Sequence, residues 1–163
     1  MSKTKENQTS NYQAKIAAPF AILGIRTEED WLTNIDYLPL NTSLLSPVNP
    51  LAKEVCKQLK SYLKKPKFVF DLSMHISGTV HQRRVWQAIQ VIPSGGTSSY
   101  GDIATQLHSA PRAVGRACGA NKLPIIIPCH RVIAKNGGLG GFMNANDGFP
   151  LDIKRWLLRH ECS

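Results

Sequence analysis

Residues 100–122 read YGDIATQLHSAPRAVGRACGANK, and this stretch carries two short helical patterns on either side of a polar turn. Pro111 suits the first turn of the second helix, where its missing N–H costs no hydrogen bond, and Gly119 lies near the end of that helix. Helix, tight turn and helix is the outline of a helix-turn-helix unit. Many proteins with this outline bind no DNA, so the stretch predicts a local fold and leaves the partner open.

A further helix is predicted just upstream, in VHQRRVWQAIQVI at residues 80–92, before the helix-breaking PSGG. Its apolar face would contain Val85, Trp86 and Ile89. The short segment ISGT at 76–79 precedes this new pattern, and the charge balance changes there, so we expect a domain boundary. The second domain is therefore predicted to span residues 76–163 and to be mostly helical.

The first half of the chain predicts an α/β domain over residues 16–75. Apolar stretches from Ile16 to Leu40, interrupted by the polar turn RTEED, indicate two or three strands of an antiparallel meander. LAKEVCKQLKSYLKK at 51–65 predicts an amphipathic helix, and KFVFDLSM at 67–74 predicts a short strand. Residues 1–15 are mostly polar, so we expect them to form a disordered tail.

The charge of the chain favours an anionic partner. The net charge is +9, of which residues 76–163 contribute +6, because ten Lys and Arg face four Asp and Glu there. That half also holds all the arginines except Arg26, and arginine is suited to phosphate and base-edge contacts. Nucleic acid is the partner that this distribution favours.

The four cysteines form no C-x-x-C pair, and no Cys/His cluster has zinc-finger spacing. We therefore expect reduced thiols, no disulfide framework and no metal site. The polar N-terminus lacks the apolar core of a signal peptide, and no run approaches the roughly 18 apolar residues of a membrane span. A cytoplasmic protein is expected, with no membrane partner.

One thiol has neighbours that suit it for chemistry. After LPIII at 123–127, which predicts a buried strand or extended run, Cys129 stands directly beside His130 and Arg131. A histidine that takes the proton, or nearby positive charge, raises the fraction of thiolate, which is the form that attacks carbon. An inert cysteine at a strand end explains the same spacing, so these residues alone leave both interpretations open.

Several motifs in order resemble the 6-O-alkylguanine-DNA alkyltransferases, also called methylated-DNA-protein-cysteine methyltransferases. They are SGTVHQRRVWQAI at 77–89, SYGDIA at 99–104, RAVGRACGAN at 112–121, PCHR at 128–131 and RWLLRHE at 155–161. The resemblance covers essentially all of residues 76–161 and is looser in the first half. It implies a ribonuclease H-like α/β domain followed by a winged-helix-like domain with a helix-turn-helix.

The resemblance also implies an activity. A monomer would bind the minor groove of duplex DNA, flip 6-O-alkylguanine out of the stack and transfer the alkyl group irreversibly to Cys129. Each molecule would act once, as a suicide enzyme, with no cofactor and no metal. The protein would act in the cytoplasm, on the nucleoid if it is bacterial, and in the nucleus if it is eukaryotic.

Roles for individual residues follow from the same resemblance. Cys129 would accept the alkyl group, His130 would draw off its proton through a water, and Glu161 would orient and charge that histidine. Asn121 would brace the turn that carries the thiol, and Tyr100 would donate a hydrogen bond to the flipped guanine. Val132 and Phe142 are expected to contact the base, and the expected DNA contacts are Ser99, Arg112, Ala113, Arg116 and Arg131, with Arg112 entering the stack.

The chain departs from the family pattern in two places. His81 stands where the family commonly has an aromatic residue, and we expect an ordinary core or surface histidine there. GLGGFMNANDGFPLDIKRWLL at 138–158 is longer than the usual path to the last helix. We expect the extra residues after Phe142 to affect which alkyl groups fit.

Three other function classes can be set against the alkyltransferase. Non-catalytic alkyltransferase-like proteins sense damaged DNA, and tryptophan typically replaces the cysteine in them, so Cys129 favours the enzyme. A helix-turn-helix regulator with a reactive cysteine would need an effector or dimerisation domain, and none is recognisable. A Cys-His hydrolase would need a peptide cleft or an oxyanion motif, and we identify neither.

Overall fold

The computed structural model describes residues 11–141 and 148–162, and the chain divides into two compact units, one ending at His75 and the other beginning at Ile76. The first unit combines a sheet with a helix, and the second is mostly helical. Each unit buries its own apolar side chains. No helix among the described residues is long and apolar enough to cross a membrane.

The first unit contains a three-stranded antiparallel sheet in the order β1–β2–β3, which confirms the predicted meander. The strands are β1 (Ala14–Ala17), β2 (Ile22–Glu28) and β3 (Trp31–Leu38). Because β1 begins at Ala14, regular structure starts two residues inside the segment expected to be a tail. Residues 1–10 of that segment lie outside the described residues.

One helix lies among the described residues of this unit, α1 (Pro50–Lys64), and it packs against the sheet. It begins where the side chain of Asn49 accepts a hydrogen bond from the backbone N–H of Ala52 at 2.7 Å, a standard helix N-cap. The predicted strand at 67–74 is wrong. That segment forms only an isolated parallel bridge between Leu32 and Met74, because the side chain of Gln58 on α1 takes both the N–H and the carbonyl of Asp71.

The second unit contains four helices among its described residues: α2 (Val80–Gln90), α3 (Tyr100–Leu107), α4 (Pro111–Gly119) and α5 (Phe149–Glu161). His108 adopts a left-handed φ of 53° and turns the chain from α3 towards α4, as the helix-turn-helix outline predicts. The indole N–H of Trp86 donates to the carbonyl of Ala117 at 2.8 Å and ties α2 to α4.

The apolar run at 123–127 is buried but is not the predicted strand. It folds into turns, in which the N–H of Ile127 donates to the carbonyl of Leu123 at 2.9 Å. Ile125 has a φ of 74°, a left-handed conformation that is strained for a β-branched residue. A compact, strained turn therefore delivers the chain into the 3₁₀ turn at Cys129–Arg131.

A short parallel pairing brings two motifs of the second unit together. β4 (Ser98–Ser99) runs beside β5 (Val132–Ile133), with Ser98 opposite Val132. Tyr100 follows β4 directly, and Cys129, His130 and Arg131 precede β5 directly. The pairing thus places the start of α3 beside the Cys-His-Arg turn.

Candidate active site

Asn121 holds the turn that carries Cys129. Its side-chain N–H groups donate to the carbonyl of Ile127 at 2.9 Å and to Sγ of Cys129 at 3.3 Å, and its oxygen accepts from the N–H of Leu123 at 2.9 Å. One amide side chain therefore closes the strained turn at both ends and also contacts the sulfur. The family resemblance predicts a bracing role for Asn121 at this turn.

The Cys129 thiol is 3% exposed and lies against a second thiol, that of Cys118. The side-chain hydrogen bond with Cys118 and the burial of Cys129 raise the pKa of Cys129. The hydrogen bond from Asn121 and the positive charge of Lys154 lower it. Without a base, the resting state is the protonated thiol, so a proton acceptor is needed to make the nucleophile.

His130 and Glu161 form a buried pair in which Nε2 of the ring lies 2.8 Å from Oε2 of the carboxylate. A carboxylate only accepts hydrogen bonds, so in the neutral imidazole Nε2 carries the proton and Nδ1 has the free lone pair. Nδ1 is buried and has no hydrogen-bond partner among the described residues. Burial lowers the pKa of His130, against the opposing effect of Glu161, and so favours the basic form.

Arg131 completes this cluster from the other side of Glu161. Its Nε lies 2.8 Å from Oε1 and its Nη2 lies 2.9 Å from Oε2, while Nη1 donates to the carbonyl of Ile92 at 2.7 Å. A two-point pair of this kind fixes the plane of the carboxylate. The sequence grouped Arg131 with the DNA contacts, but the structure places its guanidinium on Glu161, with only 12% of the side chain exposed.

Tyr100 is the first residue of α3 and is half-buried. Its hydroxyl donates to the carbonyl of Gly141 at 3.1 Å, and burial raises its pKa, so the hydroxyl keeps its proton. Gly140 passes beside the ring with a φ of 66°, and a Cβ there would come within 2.9 Å of the ring carbon Cε2. Only glycine fits this approach without displacing the ring.

Lys154 is a buried cation that the sequence reasoning missed. Its Nζ donates to the carbonyls of Val132 at 2.7 Å, Leu139 at 2.6 Å and Gly141 at 3.0 Å. Nζ also lies 3.4 Å from the hydroxyl of Tyr100. Burial lowers the pKa of Lys154 to about 8.

A signal for Lys154 was present in the sequence. The residue lies three positions after Leu151 and three before Leu157, on the apolar face of α5, where a lysine needs buried partners.

The remaining predicted residues are distributed more widely. Arg112 and Arg116 are exposed one turn apart on α4, with Ala113 half-buried between them. Ser99 caps α3, since its hydroxyl accepts from the N–H of Asp102 at 2.9 Å. Val132 is buried against Lys154, and Phe142 lies outside the described residues.

Within the described residues, no group of three or more His, Cys, Asp or Glu side chains is placed to hold a metal ion. His81, where the chain departs from the motif, bonds through Nε2 to the hydroxyl of Ser109 at 2.8 Å and so links the start of α2 to the turn before α4.

Comparison with known proteins gives consistent matches. Residues 80–163 match the family model described as 6-O-methylguanine DNA methyltransferase, DNA binding domain. The constitutive methylated-DNA-protein-cysteine methyltransferase of Bacillus subtilis is 37% identical over 93% of this chain and 95% of its own length.

Solved structures match over both units. A crystal structure of Mycobacterium tuberculosis OGT in complex with DNA is 36% identical, with a TM-score of 0.77 and coverage of 91% of each chain. An O6-methylguanine DNA methyltransferase structure from Methanococcus jannaschii is 27% identical with a TM-score of 0.65, covering 91% of this chain and 92% of its own.

Proposed function

This chain belongs to the 6-O-methylguanine DNA methyltransferase family, and on that premise we propose that it repairs DNA by accepting the alkyl group of 6-O-alkylguanine on Cys129. The observation that carries the proposal is one arrangement: Sγ of Cys129 held by Asn121, next to the buried pair of His130 and Glu161. This is a nucleophile followed by a base, with a third group that orients the base.

Transfer begins with the proton of Cys129. His130 takes it at Nδ1 through a water, and Glu161 stabilises the resulting imidazolium through Nε2. Arg131 holds the carboxylate in plane through two hydrogen bonds, which we propose as its role in place of a DNA contact. Asn121 then stabilises the thiolate by the hydrogen bond it already makes to the sulfur.

The thiolate attacks the alkyl carbon in line. The new S–C bond forms as the C–O bond to guanine breaks, and its electron pair passes to the purine. Tyr100, whose raised pKa keeps its proton available, donates a hydrogen bond to the purine and stabilises it as a leaving group. The product is a thioether, a bond that is stable to acid–base catalysis, so each molecule acts once.

The substrate carbon lies inside the duplex, so the base must be extruded to reach a nearly buried sulfur. The exposed Arg112 and Arg116 on α4 supply positive charge on the helix that we propose contacts the minor groove. Arg112 would fill the gap left by the base. Support for DNA as the partner comes from the related M. tuberculosis OGT, solved in complex with DNA.

Finer features are proposed on the same basis. We propose that the unit ending at His75 is a ribonuclease H-like domain, that the unit beginning at Ile76 is a winged-helix-like domain, and that the protein is a monomer that acts where the cell keeps its DNA. The non-catalytic alternative is not favoured, because an acceptor cysteine is present and is bonded to Asn121.

The proposal is tested by incubating the full chain with a duplex that contains 6-O-methylguanine and measuring its intact mass. One added methyl group per molecule is expected, mapped to Cys129 by peptide analysis. Cys129→Ser should gain no mass while still binding the duplex, and Cys162→Ser, which removes an exposed thiol, serves as the matched control. A folded wild-type sample that gains no methyl group would overturn the assignment.

A further inference from the structure

A second thiol lies at the acceptor and the transfer reaction leaves it unused. Cys118 is half-buried in the last turn of α4, and its side chain is in hydrogen-bond contact with that of Cys129. The backbone carbonyl of Cys118 accepts from the N–H of Asn121 at 3.2 Å, and the side chain of Asn121 donates to Sγ of Cys129 at 3.3 Å. Asn121 therefore ties both cysteines into one cluster.

We propose that Cys118 and Cys129 are a redox pair, which a peroxide converts into a reversible disulfide that covers the acceptor sulfur. The formation of this bond goes beyond the proposed function and does not depend on it. Only its effect on alkyl transfer rests on the proposed function.

The chemistry is a two-electron oxidation. The Cys118 thiolate attacks one oxygen of hydrogen peroxide, the O–O bond breaks, and Cys118 becomes a sulfenic acid with release of hydroxide. The Cys129 thiolate then attacks the Cys118 sulfur and displaces its oxygen, which leaves as water after protonation. In sum, two thiols and one peroxide give one disulfide and two waters.

The difference in solvent exposure between Cys118 and Cys129 determines which sulfur reacts first with peroxide. Cys118 is partly exposed, whereas Cys129 is 3% exposed and bonded to Asn121, so peroxide reaches Cys118 first and Cys129 resolves it. Among the other cysteines, Cys56 is buried in the first unit and Cys162 follows the end of α5. Both cysteines are also joined through Asn121, so their side chains lie in one cluster, which is the proximity that a disulfide requires. A disulfide also protects the acceptor from irreversible oxidation to sulfinic acid.

The experiment treats the full chain with hydrogen peroxide, quenches free thiols with a maleimide and maps peptides without reduction. The expected result is the loss of two hydrogen atoms per molecule and a cross-linked peptide joining Cys118 to Cys129. Alkyl acceptance should be lost on oxidation and return with dithiothreitol. Cys118→Ser and Cys118→Ala should form no such link, and each should fail to recover with dithiothreitol once Cys129 is over-oxidised.

Cys162→Ser is the matched control and should behave like wild type. A wild-type protein oxidised to sulfinic acid at Cys129 without a link to Cys118 would overturn the proposal, as would a link from Cys129 to Cys162. Because the link is read by mass, it can be found even if the protein accepts no alkyl group. The two proposals therefore fail separately.

Discussion

Glu161 Oε2 lies 2.8 Å from Nε2 of His130, and Arg131 forms an ion pair with the same carboxylate. The carboxylate of Glu161 thus binds both the guanidinium of Arg131 and the imidazole of His130. The side chains of Glu161 and His130 are almost wholly excluded from water. The ion pair with Arg131 offsets the cost of burying the carboxylate, and this leaves its charge available to His130 when the imidazole takes a proton.

Replacing Glu161 should separate the two tasks of this carboxylate. Glu161→Ala leaves Arg131 without its carboxylate partner in a mostly buried site and should lower the free energy of unfolding by about 3–5 kcal/mol. Glu161→Gln keeps hydrogen-bond acceptance but loses the charge, and should slow alkyl transfer by roughly 10²-fold with a smaller loss of stability. Urea unfolding and single-turnover transfer would be measured on both, and a Gln variant with wild-type transfer would rule out a role for the charge.

The pKa of His130 predicts the sign of a stability change with pH. Burial lowers this pKa below 6.5, so as pH falls past 6.5 the unfolded chain takes up a proton that the folded protein does not. The free energy of unfolding should therefore fall between pH 6.5 and the lower folded pKa. In His130→Gln this part of the pH dependence should disappear from urea titrations. Identical pH profiles in the two proteins would contradict a lowered pKa.

Lys154→Met should damage both stability and transfer. Removing the ammonium takes the Nζ donor from the carbonyls of Val132 and Leu139, at a cost of about 1–3 kcal/mol for each one that stays unsatisfied, while Gly141 keeps its bond from the Tyr100 hydroxyl. Lys135→Met removes an exposed lysine and should cost little.

A pH series separates a charge effect of Lys154 from simple loss of structure. The pKa of Lys154 is about 8, so the advantage of wild type over Lys154→Met in transfer rate should shrink as pH rises past that value. A constant ratio would show that Lys154 acts only as a structural tie.

Arg116→Ala should weaken DNA binding about equally for all sequences and should reduce the slope of log affinity against log salt by about one. Arg112→Ala should lower the transfer rate on duplex DNA more than it lowers binding, because its task is to hold the flipped state. Lys53→Ala, an exposed site on α1, is the matched control. Fluorescence anisotropy at several salt concentrations gives the slopes, and an unchanged slope for Arg116→Ala would place α4 away from the phosphates.

The sequence was informative where a local pattern reflects a local cause. The meander, the helix α1 and the two helices around His108 follow from apolar spacing and from turn residues. The prediction of a strand or extended run at 123–127 is wrong, because an apolar stretch looks the same in a buried turn as in a buried strand. The side chain of Asn121, which bonds to Leu123 and Ile127 at the two ends of the run, holds it as a turn, and apolar spacing carries no sign of those bonds.

Long-range ion pairs explain the other gaps. Arg131 and Glu161 are 30 positions apart, and nothing in the local sequence around Arg131 indicates that its charge is used internally. Lysine is usually a solvent-exposed residue, so its residue type predicts an exposed Lys154, and only its place between Leu151 and Leu157 indicates burial.

The hydrogen bonds from Lys154 to backbone carbonyls also indicate where the alkyl specificity of this protein can be changed. Leu139 and Gly141 are fixed by Nζ just before residues 142–147, and the N–H of Asp152 bonds to the carbonyl of Gly148 at 3.1 Å just after them. Both junctions are anchored by groups outside the intervening segment. Substitutions between the two junctions can therefore be screened for altered alkyl substrates in a protein that keeps the Lys154 bonds on one side and the first turn of α5 on the other.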